Sequence, residues 1–168
     1  MTLTKGKIQT KKSELHSLFV EDDSLHFDYG HCLPNSDTCS VIHGHSSRIS
    51  AEVFGEVGDD GMILDFADAK SRLKDAIKAV DHKFIICKKY AKINQNECMI
   101  EFHGKKGHFR LEIPASTVYL LEKEATSENI ASELAEAIMN NMPKQVTAMK
   151  LFFFEGVSKG ATAFRTVS

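Results

Sequence analysis

Three histidines and two cysteines fall within fifteen residues, His31-Cys-Leu-Pro-Asn-Ser-Asp-Thr-Cys39-Ser-Val-Ile-His43-Gly-His45. The two-residue step from His43 to His45 decides which backbone can use them together. On a helix such residues point to roughly opposite sides. On a strand they share a face, about 6.6 Å apart along the chain. Imidazoles leaning together from that spacing can both reach one Zn2+ at roughly 2.0–2.1 Å. Gly44 between them carries no side chain to hinder a close partner. His31 ends an alternating run, Leu25-His-Phe27-Asp-Tyr29-Gly-His31, so a regular strand puts it on one face with Leu25, Phe27 and Tyr29. The pattern predicts a zinc site of His31, His43 and His45 with an open fourth position, and the Cys39 thiol poised beside it. Cys32 follows a ligand and would face the other way, as a small core residue.

Two further places carry chemistry-bearing side chains. Asp81-His82 follows a helical stretch. A histidine past a helix C-terminus is favoured in its charged form by the macrodipole, and Asp81 could orient the ring or hold its charge. Ordinary C-terminal capping explains the same spacing. Glu155 ends the apolar face Met149, Leu151, Phe153. It reads either as a frayed strand end or as a carboxylate with a purpose.

The elements that must hold these groups follow from periodicity. Residues 14–31 read as strand, turn and strand, broken at Glu21-Asp22-Asp23-Ser24. Residues 32–42 form a loop carrying Pro34 and Cys39. From His45, Ile49, Ala51 and Val53 alternate with Arg48, Ser50 and Glu52, the mark of a half-buried antiparallel strand. Residues 55–61 are a turn. Asp65 is a good N-cap for a helix from about Phe66 to Val80, with Phe66, Ala69, Leu73, Ile77 and Val80 at helical spacing. Met99–His103 and His108–Ile113 flank Gly104-Lys-Lys-Gly107, a hairpin. Phe84–Ile86 and Val118–Leu121 are short apolar runs. Thr126 or Ser127 caps a second helix with Glu128 in its first turn. Its stripe is Ile130, Leu134, Ala137 and Ile138, and Pro143 closes it. Residues 147–155 and 159–167 read as a final strand pair. The order is strands, helix, hairpin, helix, strands. It predicts an α+β domain with both helices on one face of a sheet. The other face needs cover, which a barrel built from several subunits would supply.

Composition sets the bounds. The 168 residues suggest one domain with a real core. A formal charge of -2 leaves no footprint for nucleic acid. Lysines cluster at 5, 7, 11 and 12 and at 88, 89 and 92, as solvated faces. Residues 1–12 read as a loose start or an edge. No apolar run approaches a membrane span, and the first residues lack the apolar core of a signal peptide. Four cysteines without a Cys-x-x-Cys pair read as free thiols in a reducing cytoplasm.

Taken together, His31, Cys39-x-x-x-His43-Gly-His45, Gly61-Met-Ile-Leu-Asp65-Phe66, Asp81-His82, Thr126-Ser-Glu-Asn129 and Glu155 stand in the order seen in the 6-pyruvoyl-tetrahydropterin synthase family. The chain resembles that family over roughly residues 20–168. The Cys-to-histidine spacing is similar to the branch making 6-carboxy-5,6,7,8-tetrahydropterin for 7-deazaguanine (queuosine or archaeosine precursor) synthesis. Mammalian-type pyruvoyl enzymes have two more residues there. This chain departs from the family at Phe27-Asp-Tyr-Gly30, where small residues are usual, and after His82 and Glu155. Its stretch at about 84–122 is longer than in compact members.

The resemblance implies a tunnelling fold, with subunits forming a β-barrel ring and two rings stacking into a homohexamer, a dimer of trimers. It implies a zinc-dependent lyase acting on 7,8-dihydroneopterin triphosphate. Zinc would lie on the residues matching His31, His43 and His45 and act as a Lewis acid. Cys39 matches the general base, a thiolate. Asp81 and His82 match its partner pair across a subunit interface. Glu155 matches the carboxylate that receives the pterin N–H groups, and Thr126, Ser127 and Glu128 match the pocket lining. Alternative products are 6-pyruvoyl-tetrahydropterin or a 6-hydroxymethyl pterin. A reading of another class is a pterin- or purine-binding paralogue without turnover, but binding alone needs none of Cys39, Asp81 and His82.

Overall fold

The computed structural model describes residues 16–167, so the basic start of the chain lies outside the described residues. The chain folds as β1 (His16–Val20), β2 (His26–His31), β3 (His43–Gly55), α1 (Phe66–Lys78), β4 (Lys83–Cys87), β5 (Ala91–Asn94), β6 (Glu97–Gly104), β7 (Gly107–Pro114), β8 (Val118–Leu121), α2 (Ser127–Met139), β9 (Val146–Glu155) and β10 (Gly160–Thr166).

The alternating sequence of β3 makes it the spine of the main sheet. One edge of β3 pairs antiparallel with β9, and β10 follows β9. The other edge is shared by β1 and β2. Beyond β2 come β4 and β8, both added in parallel. The sheet is thus rich in antiparallel pairs but not purely antiparallel.

Both helices pack on one face of this sheet. Asp65 accepts the backbone N–H groups of Ala67 and Asp68 at 2.8 and 3.2 Å and so caps α1. Thr126 caps α2 through the Asn129 N–H at 3.3 Å. Caps of this kind are worth about 1 kcal/mol each. Ala69, Leu73 and Ile77 of α1 and Ile130, Leu134 and Ile138 of α2 meet Ile49, Val53, Met149, Leu151 and Phe153 in one buried core. A fully buried side chain of this size contributes about 1.5–3 kcal/mol. Phe66 departs from the expected stripe, because it starts the helix at the rim of the core and is 62% exposed.

The stretch after β4 builds a second sheet, β5-β6-β7, with its hairpin turn at Gly104–Gly107. Its inner residues Cys98, Ile100 and Phe102 pack with Cys32 and Ile86 in a separate core on the face away from the helices. Part of that face is therefore covered within the chain. The rest carries Phe19 and Phe164, both more than half exposed, beside Phe152 and Phe54.

Candidate metal and pterin site

Strand register brings the three histidines together. His31 of β2 lies opposite His43 of β3, Tyr29 lies opposite His45, and Ser47 lies opposite Glu155 of β9. Two-residue steps keep these side chains on one face, at the end of the core under α2. The strands approach closely at Gly44, where a Cβ would sit 2.9 Å from the Tyr29 carbonyl oxygen. Any side chain there would push β2 and β3 apart and spoil the pairing.

The rings converge with centroids 4.6 Å (His31 and His43), 5.1 Å (His31 and His45) and 5.0 Å (His43 and His45) apart. Among the described residues they form the one group of three or more able to hold a metal ion. The donor chemistry supports that use. His31 Nδ1 lies 2.7 Å from the Ala125 carbonyl oxygen, and His43 Nδ1 lies 2.7 Å from that of Val41. A carbonyl only accepts, so both Nδ1 atoms carry the proton. With neutral rings, the two Nε2 atoms then present lone pairs to each other across 3.1 Å. A cation between them turns that repulsion into attraction. A tetrahedral ion with bonds of roughly 2.0–2.1 Å needs its nitrogens roughly 3.3 Å apart. His45 Nε2 is buried and lacks a hydrogen-bond partner, as a waiting ligand would. Burial lowers the pKa of His31 and of His45, which favours the neutral, ligating form. Carbonyl acceptors behind ligating imidazoles are the usual way of fixing their orientation.

Glu155 stands beside this group, its Oε1 3.8 Å from His31 Nε2 and 3.5 Å from His45 Nε2. The buried Tyr29 hydroxyl donates to the same Oε1 at 2.9 Å, and Lys159 Nζ lies 3.2 Å from Oε2. Burial opposes the Glu155 charge, the Tyr29 hydrogen bond and the Lys159 ammonium favour it, and the carboxyl lies below its ordinary pKa. Glu155 is thus a placed, buried anion. Tyr29 joins the site although the sequence marked it only as a neighbour on the same face. The signal was its alternation with His31.

The remaining residues divide. Ala125, which holds His31, directly precedes Thr126, so the start of α2 abuts the site. The Thr126 side chain is spent on the cap, and Glu128 is exposed. Cys39 is part-exposed in the loop and stands outside the ligating group. Asp81 Oδ1 accepts from His82 Nδ1 at 2.8 Å and from the Asp28 N–H at 3.1 Å. His82 takes a left-handed φ of 55° and its own N–H bonds the Asp28 carbonyl at 2.7 Å. Its ring is held outward, and His82 and His45 both line one open groove of about 470 Å3. Among the described residues, no hydrogen bond of this chain joins Cys39 to Asp81 or His82.

A strand-borne histidine triad at one end of an α+β sheet makes a candidate metal site. The profile of the 6-pyruvoyl tetrahydropterin synthase family matches residues 22–166, and the chain belongs to that family. A relative from Pyrococcus abyssi, provisionally named 6-carboxy-5,6,7,8-tetrahydropterin synthase, is 32% identical over 136 residues, 80% of each chain. One from Methanocaldococcus jannaschii with the same provisional name is 30% identical over 148 residues, 82% of this chain and 88% of that one. The solved 6-pyruvoyl tetrahydropterin synthase of Plasmodium falciparum superposes with a TM-score of 0.77 at 21% identity, over 91% of this chain and 99% of that one. That likeness establishes the tunnelling fold. No helix among the described residues is long and apolar enough to cross a membrane.

Proposed function

We propose that this chain is a zinc-dependent lyase that converts 7,8-dihydroneopterin triphosphate to 6-carboxy-5,6,7,8-tetrahydropterin, in the cytoplasm, for 7-deazaguanine synthesis. The observation that carries the reading is the facing pair of Nε2 lone pairs on His31 and His43, with His45 unpartnered beside them. The Pyrococcus and Methanocaldococcus relatives support the choice of product.

Zinc held by His31, His43 and His45 would supply a Lewis acid to oxygens of the substrate side chain. Three protein ligands leave a position open for substrate. Glu155 receives the pterin's amino and ring N–H groups, a charge-assisted pairing with a planar donor edge. The start of α2, Thr126 to Glu128, lines the pterin pocket. Cys39, outside the ligand group, serves as the base that takes a proton from a side-chain carbon. His82 is its proton partner, and Asp81 fixes the ring so that Nε2 faces outward. The His82 ring is bonded to Asp81 within its own chain, and the pair with Cys39 forms across a subunit boundary, in a homohexamer of two stacked rings, as the family resemblance implies.

The test is Cys39→Ala. The variant should fold, assemble and hold zinc like the parent, yet turn over at least ~100 times more slowly, the low end for a lost general base. Loss of zinc would make Cys39 a ligand and the site structural. Full activity would remove Cys39 from the chemistry and leave His82 as the candidate base.

A further inference from the structure

The second sheet is separate from the main one, and its tip touches the loop that carries Cys39. The Lys105 N–H, in the β6–β7 turn, donates to the Pro34 carbonyl at 3.0 Å. Lys105 Nζ also lies 2.6 Å from Asp37 Oδ1. The fit at Gly104 is tight: a Cβ there would lie 3.0 Å from the Pro34 oxygen and 3.4 Å from its Cα. The base of the loop is anchored by the same sheet, since Cys32 is fully buried among Cys98, Ile100 and Phe102.

Contacts at Pro34 and Asp37 reach Cys39 through a short chain of bonds. The Leu33 N–H donates to the Cys39 carbonyl at 2.7 Å, and the Ser36 N–H to the Leu33 carbonyl at 2.9 Å. The Cys39 N–H donates to Ser36 Oγ at 3.1 Å. Leu33 adjoins Pro34, and Ser36 adjoins Asp37. A push at either contact therefore moves the backbone that aims the thiol. The Lys105–Asp37 pair is exposed and of the kind that contributes little by itself. The backbone bond and the close approach at Gly104 carry most of the constraint.

We propose that the β6–β7 tip is a clasp, and that Gly104 and Lys105 are positioning residues for Cys39. The proposal rests on the reading of Cys39 as the base. A displacement of about 1 Å in a reacting group can cost ~100-fold in rate, so a loop that aims a base benefits from an outside support. Without one, loop 32–42 would be fixed mainly at its ends and by its own short-range bonds.

The experiment uses the zinc-loaded full chain with Gly104→Val, Lys105→Glu and the charge-swapped Asp37→Lys/Lys105→Glu pair. Cys39 alkylation by iodoacetamide is measured without substrate, and kcat and KM are measured with dihydroneopterin triphosphate. Gly104→Val should lower kcat at least ~10-fold, change the Cys39 alkylation rate severalfold, and leave KM and zinc content within about twofold. Lys105→Glu should change alkylation less, and the swapped pair should restore it. If Gly104→Val does not fold, the Lys105 series decides alone. Parental alkylation in the variants that fold overturns the clasp, even where kcat falls, since the fall would then come by another route. If Cys39→Ala keeps full activity while Gly104→Val still alters alkylation, the base assignment fails and the clasp stands.

Discussion

The Tyr29 hydroxyl donates a 2.9 Å hydrogen bond to Glu155 Oε1, joining residues 126 positions apart inside the core. Tyr29 also stacks edge-on to His31, with ring centroids 5.2 Å apart. One side chain thus touches a ring of the histidine triad and the buried carboxylate together. Tyr29→Phe removes the donor and little else. A buried acceptor left short of a partner costs about 1–3 kcal/mol. The variant should keep its metal and lose about that much stability, read as a lower denaturant midpoint at unchanged slope. An unchanged midpoint would show that the bond contributes nothing.

Glu155→Gln keeps the shape but replaces one acceptor with a donor. If Glu155 receives the pterin edge, losing a charge-assisted contact in a buried pocket should cost about 2–5 kcal/mol of binding. Pterin affinity within about twofold of the parent would reduce Glu155 to a strand end whose charge serves only its neighbours.

The thiols should separate by reactivity. Burial, with the Glu124 charge adding to it, pushes the Cys32 thiol up to about 11, and burial raises Cys98 as well. A raised pKa leaves less thiolate at a given pH, and the thiolate is what reacts. Alkylation of the folded protein at about pH 8 should label Cys39 first, and bound pterin should protect it. Cys32 should become reactive only as the pH rises toward its raised pKa. Equal rates for Cys32 and Cys39 would contradict the burial of one and the exposure of the other.

Much of this site could be read from residue spacing. Alternation from Leu25 to His31 placed the first histidine on the face that the structure gives it, and Asp65 and Thr126 marked both helix starts. Other features needed tertiary contacts. The parallel addition of β4 and β8 has no local signature, because short apolar runs such as Phe84–Ile86 read alike in either direction. His82 at a left-handed φ follows from its bond to the Asp28 carbonyl, not from any glycine. The approach of Gly104 to Pro34 joins two loops far apart in the chain. The exposure of Phe66 reflects its place at the helix rim, which periodicity alone does not register.

The proposed assembly would use the helix-free face. The β5–β7 sheet covers one part, while Phe19 and Phe164 remain largely open on the rest. An apolar face of this kind marks an interaction surface, and the proposed occupant is the neighbouring subunit of a ring. Light scattering should give a hexamer. A stable, active monomer near 18.7 kDa would contradict it.

Product identity rests on one mass spectrum. The zinc-loaded protein is incubated with 7,8-dihydroneopterin triphosphate, beside a chelator-treated sample and the His43→Ala/His45→Ala variant. The expected result is the mass of 6-carboxy-5,6,7,8-tetrahydropterin in the first sample alone, with about one zinc per parent chain and little in the variant. A 6-pyruvoyl or 6-hydroxymethyl pterin would overturn the product. Unchanged substrate in all three samples, or equal turnover in the variant, would contradict the zinc lyase itself.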